Sequence, residues 1–157
     1  MGKRVQIGKH SKLLGIIRLG EKVRIGKNIT LMGVCIIGNN VSIGDNSVLI
    51  DTHLGNFVSA KKVILSEDVW IHNHVTLGKD VVIEPYCTIE EHTTIGDNVT
   101  VRSWTKIGHH TQIGNDVIVG QTGGGPITPL TGMSRYNTII PPNSHLEIER
   151  QSKNERS

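Results

Sequence analysis

The chain has 157 residues and a formal net charge of only +3, with 17 Lys and Arg against 14 Asp and Glu. This length suits one domain with a core of its own, since domains typically span roughly 100–200 residues. Two Trp, two Tyr and one Phe are too few aromatic residues for a nucleic-acid surface that binds by base stacking. A single alanine makes a helix bundle unfavourable, whereas 18 glycines and many β-branched residues favour a β-protein.

The sequence predicts a cytoplasmic protein that does not cross a membrane. Residues 1–6 contain no apolar segment of the kind found in signal peptides. No apolar run approaches the ~20 residues that a membrane-spanning helix needs. Cys35 and Cys87 lie far apart in the sequence and make no disulfide framework, so we interpret them as reduced thiols.

A six-residue period runs along the chain from its N-terminus. Aliphatic residues recur at every sixth position up to Leu49, and after a slip of four residues the series resumes at Leu65. The series comprises Ile7, Leu13, Leu19, Ile25, Leu31, Ile37, Ile43 and Leu49, then Leu65, Ile71, Leu77, Ile83, Ile89, Ile95, Val101, Ile107, Ile113 and Val119. Many of these residues are followed by Gly, and Asn recurs three positions after them, where it tolerates a left-handed corner. Each hexad therefore predicts one short strand and one corner, and only stacked coils bury its apolar side.

The repeated Ile/Leu/Val-Gly-x-x-x-x unit resembles the hexapeptide-repeat transferases. Their fold is all-β, a left-handed parallel β-helix with three faces in each coil. The resemblance covers about residues 5–123 and implies about six coils, stacked roughly 4.8 Å apart. We predict a β-helix domain over residues 1–123. We predict an irregular segment and tail over residues 124–157, because glycines and prolines interrupt the repeat from there on.

One column of hexads carries an unusual set of apolar residues. The position directly after the aliphatic residue, which is Gly in many hexads, holds Leu14, Met32 and Ile50 in this column, with Ile16 and Val34 nearby. These side chains should point outward and form an exposed apolar stripe, which is typical of an interface. In the resembling family the active sites lie between subunits, so the resemblance implies a homotrimer.

The slip in the period is where the sequence predicts chemistry. His53 belongs to the last regular hexad before the slip and takes an inward position where a small core residue is expected. Such departures from local rules concentrate at functional sites. A histidine that only completes a corner is the alternative. The segment from Ile50 to Ile71 is similar to an I-x-D-x-H element and a following D-V-W-I hexad in serine, galactoside and maltose O-acetyltransferases.

That similarity implies roles for four residues. The histidine of the family's element is its general base, which corresponds to His53. Asp51 lies two residues away, and we expect it on the same side of an extended strand, where it would orient the imidazole. Trp70 matches a tryptophan beside the pantetheine arm of coenzyme A, and Asn73 matches a position in that groove. The implied reaction is acetyl transfer from acetyl-CoA to a hydroxyl or amine of a small acceptor, with a sugar expected.

Two other functions remain open at this point. One is a trimeric β-helix scaffold without catalytic activity, because fold alone does not determine function. Consistent with this, His72 replaces the family's Gly after Trp-Ile, and the usual C-terminal motif is absent. The other is a metalloprotein like the γ-carbonic anhydrases, because His74 and His110 have the spacing of 36 found between two histidines of those enzymes. Their third histidine corresponds to position 115, which holds Asn here. We predict no metal, since His74, His92 and His110 fall at corner positions and should form a stacked ladder; Tyr86 and Trp104 should stack in the same way.

Charge is concentrated in the first coil. Residues 1–27 contain eight basic side chains and one acidic side chain. This end of the chain is interpreted either as a plain solvated coil or as a surface for an anionic acceptor.

Overall fold

The computed structural model describes residues 2–120 and 138–147, and these residues form a parallel β-solenoid of about six turns. The all-β fold predicted from the repeat is confirmed. The strands are β1 (Gln6–Ile7), β2 (Lys12–Leu19), β3 (Arg24–Ile25), β4 (Thr30–Ile37), β5 (Ser42–Ile43), β6 (Val48–Ile50), β7 (His53–Leu54), β8 (Ser59–Leu65), β9 (Trp70–Ile71), β10 (Thr76–Ile83), β11 (Thr88–Ile89), β12 (Thr94–Ile95), β13 (Thr100–Val101), β14 (Thr105–Ile107), β15 (Gln112–Ile113), β16 (Ile118–Val119), β17 (Thr138–Ile140) and β18 (His145–Leu146).

Strands on successive coils pair in parallel and build three faces. In the regular coils the paired residues are 18 positions apart, as in Ile7 with Ile25 and Ile95 with Ile113. The third face, which carries the candidate site, is formed by the C-terminal halves of β2 and β4 and by β7, β9, β11, β14 and β17.

The core is a stack of aliphatic side chains with two inward positions in each hexad. Leu31, Leu49 and Leu65 are fully buried examples of the first position, and Val69 and Val99 of the second. Two second positions hold the free cysteines Cys35 and Cys87. Burial raises the pKa of both thiols, that of Cys87 to about 12. Both are therefore protonated at neutral pH and serve as small core residues.

Left-handed backbone conformations mark the corners of the described coils. Asn, Asp and His occupy most of these positions with φ near 55–60°, as at Asn28, His74 and Asn98. These residue types tolerate that region better than most. At one corner, Asn39, Asn56 and Asn73 form a ladder of hydrogen bonds between coils. The Oδ1 of each Asn accepts a hydrogen bond from a backbone N–H of the preceding coil. The sequence prediction of Asn and His corners is confirmed.

The break in the period has a different geometry from the one predicted. It consists of two shortened hexads, because the buried first positions run Leu49, Leu54, Ala60, Leu65, with steps of five, six and five residues. On the third face the distance in sequence between paired residues falls from 18 to 17, as between Ile36 and His53. The slip of four residues in the frame therefore arises because the chain has lost one residue at each of two corners.

Residues 138–147 continue the solenoid. β17 pairs with β14 and β18 pairs with β15, and the corner between them has Asn143 at φ 60°. The prediction that residues 124–157 are irregular is therefore wrong for this part, because the same aliphatic and corner chemistry returns after a long interruption. Residues 121–137 and 148–157 lie outside the described residues, and the domain boundary at residue 123 stays a prediction.

Candidate functional site

A cavity of about 250 Å³ lies on the third face beside the first shortened hexad. Three of the four predicted site residues line it: His53, Trp70 and Asn73. The other residues that line it are Ile36, Leu54, Gly55, Ile71 and His72. Sequence reasoning missed Ile36 because it lies one coil away. The sequence feature that could have identified Ile36 is its spacing of 17 residues from His53. This spacing becomes informative only when the hexad before His53 is known to be one residue short.

Two larger grooves contain none of the four predicted residues. One, of about 840 Å³, lies near the C-terminal end between Thr94 and Glu147. The other, of about 660 Å³, lies on the first coils and is lined by Arg4, Lys22 and Arg24 together with neutral polar residues and two valines. Size alone does not make a site, and the smaller cavity is the candidate site because a histidine and an exposed indole converge there.

His53 lies on an outward strand position. The inward positions beside it belong to Thr52, which is fully buried, and to Leu54. The predicted inward position of His53 is therefore wrong. Removing one residue from the preceding corner moves every following side chain to the opposite side of the strand. His53 is half-buried, and this places its ring in the wall of the cavity.

The rings of His53 and Trp70 are stacked. They occupy directly paired positions on adjacent coils, with ring centroids 4.2 Å apart and an interplanar angle of 9°. Nδ1 of His53 is buried and has no hydrogen-bond partner within residues 2–120 and 138–147. Trp70 is 47% exposed, so much of its indole faces solvent at the mouth of the cavity.

Asp51 does not orient His53 as predicted. It adopts a left-handed corner conformation, with φ of 46°, and does not lie on an extended strand. Its Oδ1 accepts a hydrogen bond from the backbone N–H of Val34 at 2.8 Å. A Cβ atom at Gly33 would collide with the same oxygen, which explains the glycine there. The carboxylate therefore closes the shortened corner.

Asn73 combines a place in the cavity with a structural role. Its Oδ1 accepts a hydrogen bond from the backbone N–H of Asn56 at 2.8 Å. The same arrangement joins Asn56 to Asn39 and Asn39 to Glu21 on the preceding coils. This ladder fixes the corner that bounds the cavity. His72 precedes Asn73 and is exposed at the cavity wall.

The predicted apolar stripe is present and reaches the cavity. Leu14, Ile16, Met32 and Val34 are between 41% and 60% exposed, whereas Ile50 is half-buried. Ile36 extends the stripe with 36% exposure and also lines the cavity. The stripe and the cavity therefore form one continuous surface.

The histidine ladder predicted from the spacing of 18 is confirmed. The rings of Phe57, His74, His92 and His110 stack in order, with centroids 4.8–4.9 Å apart. We call these four residues the corner ladder, because all of them have left-handed φ angles. Tyr86 and Trp104 stack at another corner, as predicted, at 4.3 Å.

The described residues contain no group of three or more His, Cys, Asp or Glu side chains that could hold a metal ion. Nor do they include a helix of the length and apolar character that crossing a membrane requires.

Many solved structures match this fold, and two of them have TM-scores above 0.5 with acyltransferase names. One is a mutant of GDP-perosamine N-acetyltransferase from Caulobacter crescentus in complex with CoA and GDP-perosamine, with 14% identity, a TM-score of 0.55, and coverage of 89% of this chain and 53% of that chain. The other is a UDP-N-acetylglucosamine acyltransferase from Bacteroides fragilis, with 15% identity, a TM-score of 0.54, and coverage of 76% and 66%. The chain thus spans about half the length of the first and just under two thirds of the second. No curated protein matches the sequence significantly.

The sequence also matches a family model. The bacterial transferase hexapeptide family, defined by six repeats, matches residues 17–51, 62–96 and 92–121, which is more than half of the chain. The matched segments stop at Asp51 and resume at Lys62, so they leave out part of the region with the shortened hexads. The left-handed β-helix and its repeat establish that this chain belongs to the bacterial transferase hexapeptide family.

Proposed function

We propose that this protein is an acetyltransferase that moves the acetyl group of acetyl-CoA to a hydroxyl or amine of a small acceptor, a sugar or sugar derivative. One observation carries the proposal: a half-buried histidine lines a cavity where a regular transferase repeat is broken. The similar Caulobacter protein, solved with CoA and GDP-perosamine, supports an acyl carrier and a sugar derivative as the two substrates.

His53 acts as the general base in this proposal. Its Nδ1 is buried, so Nε2 is the nitrogen left to meet an acceptor in the cavity. Nε2 takes the proton as the acceptor oxygen or nitrogen bonds to the thioester carbonyl carbon. When the carbon–sulfur bond breaks, His53 returns this proton to the departing thiolate. Proton transfer of this kind typically contributes about 10²–10⁴-fold to the rate.

Trp70 and Asn73 are the residues proposed to hold the acetyl-CoA. The exposed part of the indole offers an apolar surface, and the side-chain NH₂ of Asn73 remains a donor because only Oδ1 serves the corner. The cavity of about 250 Å³ is smaller than the ~300–1,000 Å³ of typical ligand sites. It therefore accepts the reacting ends of the substrates, and a further surface must hold the rest.

We propose that a homotrimer supplies that further surface. The apolar stripe continues into the cavity through Ile36, so a second copy that covers the stripe also borders His53. An exposed apolar surface of this extent is typical of an interface.

A cytoplasmic location is also proposed, supported by two free, buried cysteines that suit a reducing compartment.

Calorimetric titration tests the function most directly. Acetyl-CoA and CoA should both bind the purified protein. A screen of sugars and amines that monitors free thiol should then identify an acceptor; the protein's own thiols are buried and contribute no background. If neither CoA compound binds at millimolar concentration, the enzymatic proposal is wrong and the scaffold interpretation replaces it.

Light scattering tests the assembly. The expected mass is about three times the 17.2 kDa of one chain. Met32→Glu should dissociate the assembly, because it buries an unpaired charge in the interface. Thr76→Glu places the same charge at an exposed position of β10, paired with β8 and β12 away from the stripe, and should leave the mass unchanged. A parent protein that is monomeric at micromolar concentration would contradict the proposed trimer.

A further inference from the structure

His53 lies between two register partners on the neighbouring coils of the solenoid. Ile36 is its register partner on the preceding coil, and Trp70 is its partner on the next. The indole lies parallel to the imidazole at 4.2 Å. Parallel packing of this kind restricts tilting of a ring much more than movement within its own plane.

In the part of the chain that the structure describes, no hydrogen bond performs the same task. Histidines that act as bases are usually oriented by an acceptor at the second ring nitrogen. Here Nδ1 is buried without a partner among the described residues, and the nearby carboxylate of Asp51 is engaged with the backbone of Val34. The orientation of His53 therefore depends on packing.

We propose that Trp70 is the positioning residue of His53. This inference rests on the proposed function, because it takes His53 as the base. It differs from the sequence interpretation, in which Trp70 serves only as a contact for acetyl-CoA. The lone pair of Nε2 lies in the plane of the imidazole, so tilting the ring aims it away from the acceptor proton. Trp70 prevents this tilt by covering one face of the ring.

Steady-state kinetics separate positioning from substrate binding. Trp70→Ala should lower kcat by about 10–10²-fold, since small misplacements of catalytic groups cost this much. KM for acetyl-CoA should rise as well, because the exposed part of the indole is a proposed contact for it, but loss of such a contact alone would leave kcat unchanged. Trp70→Phe keeps an aromatic ring against His53 and should restore most of kcat. The matched control is Trp104→Phe, because Trp104 makes a similar stack, with Tyr86, outside the cavity. It should leave both constants unchanged.

Proton NMR tests the stack without an assay. In the parent protein the Cε1 proton of His53, assigned by its loss in His53→Ala, should be shifted upfield by the indole ring current. The shift should disappear in Trp70→Ala and persist in Trp104→Phe. A normal chemical shift in the parent protein would overturn the proposal, because the rings would not be stacked in solution.

The kinetic outcomes distinguish this proposal from the proposed function. If Trp70→Ala raises KM for acetyl-CoA and leaves kcat unchanged, Trp70 is a substrate contact and the positioning role is wrong. If His53→Ala is inactive while Trp70→Ala keeps the parent kcat, the base is correct and the positioning role is again wrong. If His53→Ala is as active as the parent, the base assignment itself fails, and the positioning role falls with it.

Discussion

Two of the sets of stacked rings on this solenoid resemble each other only in stacking. The His53–Trp70 pair occupies strand positions on the third face, where His53 is half-buried and borders a cavity. The corner ladder occupies left-handed positions, and all four of its side chains are exposed. The pair adjoins a shortened hexad, whereas His74, His92 and His110 belong to regular six-residue steps.

The difference shows what marks a functional site in a repeat protein. The corner ladder needs no ligand to explain it, since histidine tolerates left-handed backbone and aligned rings stack favourably. The position of His53 has no such explanation, because strand positions impose no preference for an imidazole. Departure from the repeat, rather than the number of histidines, therefore identifies the candidate site.

The largest expected effect separates the two sets directly. His53→Ala should lower the rate of CoA release by at least ~10², because it removes proton transfer. Acetyl-CoA affinity and assembly mass should stay nearly unchanged. His74→Ala and His110→Ala should each alter the rate by less than ~10-fold. The measurement is thiol release under saturating substrates, with Cys35 and Cys87 remaining unreactive towards thiol reagents as a check that each variant is folded.

Two results would reverse this comparison. An active His53→Ala protein would show that the pair does not supply the base. Loss of both activity and a bound metal in His74→Ala or His110→Ala would make the corner ladder the functional site and favour the metalloprotein interpretation.

An intermediate effect is expected at Asp51, whose carboxylate closes the corner before His53. Asp51→Asn keeps an oxygen that can accept from Val34 N–H, so kcat should stay within about 3-fold of the parent. Asp51→Ala loses that bond at a left-handed position and should lower the free energy of unfolding by about 1–2 kcal/mol. Kinetics and urea denaturation measure the two effects. A loss above ~10² in the Asn variant would show that the carboxylate acts on the base.

The fold was predictable because the information is repeated along the chain. Each aliphatic position, such as Ile25 or Ile95, is uninformative alone, but the same spacing recurs over the whole solenoid. Corner residues add an independent signal, since Asn and His appear where the backbone is left-handed. The strands at residues 138–146 were missed because a long interruption separates them from Val119.

Three of the four candidate site residues line one cavity, but the geometry around them was not predictable in the same way. Leu49 and Leu65 are 16 positions apart, and the sequence alone permits either four added residues or two lost ones. Leu54 and Ala60 decide between these possibilities, and alanine is too small to be recognised as a core position in a series of Ile, Leu and Val. The loss of one residue turns the side chain of His53 outward and places Asp51 at a corner. The expected contact between their side chains therefore does not form.

The smallest expected effect concerns the corner ladder itself. His92→Asn should lower the free energy of unfolding by about 1 kcal/mol or less, because Asn tolerates the left-handed corner and only exposed stacking contacts are lost. His92→Val should cost about 1–2 kcal/mol more, since a β-branched residue is strained at φ of 56°. Urea denaturation midpoints of the parent and the two variants measure this difference. Equal destabilisation by Asn and Val would mean that ring stacking, and not backbone conformation, determines the residue at this corner. An Asn variant that is more stable than the Val variant and has unchanged thiol release would instead show that the ladder has a conformational origin and no part in catalysis.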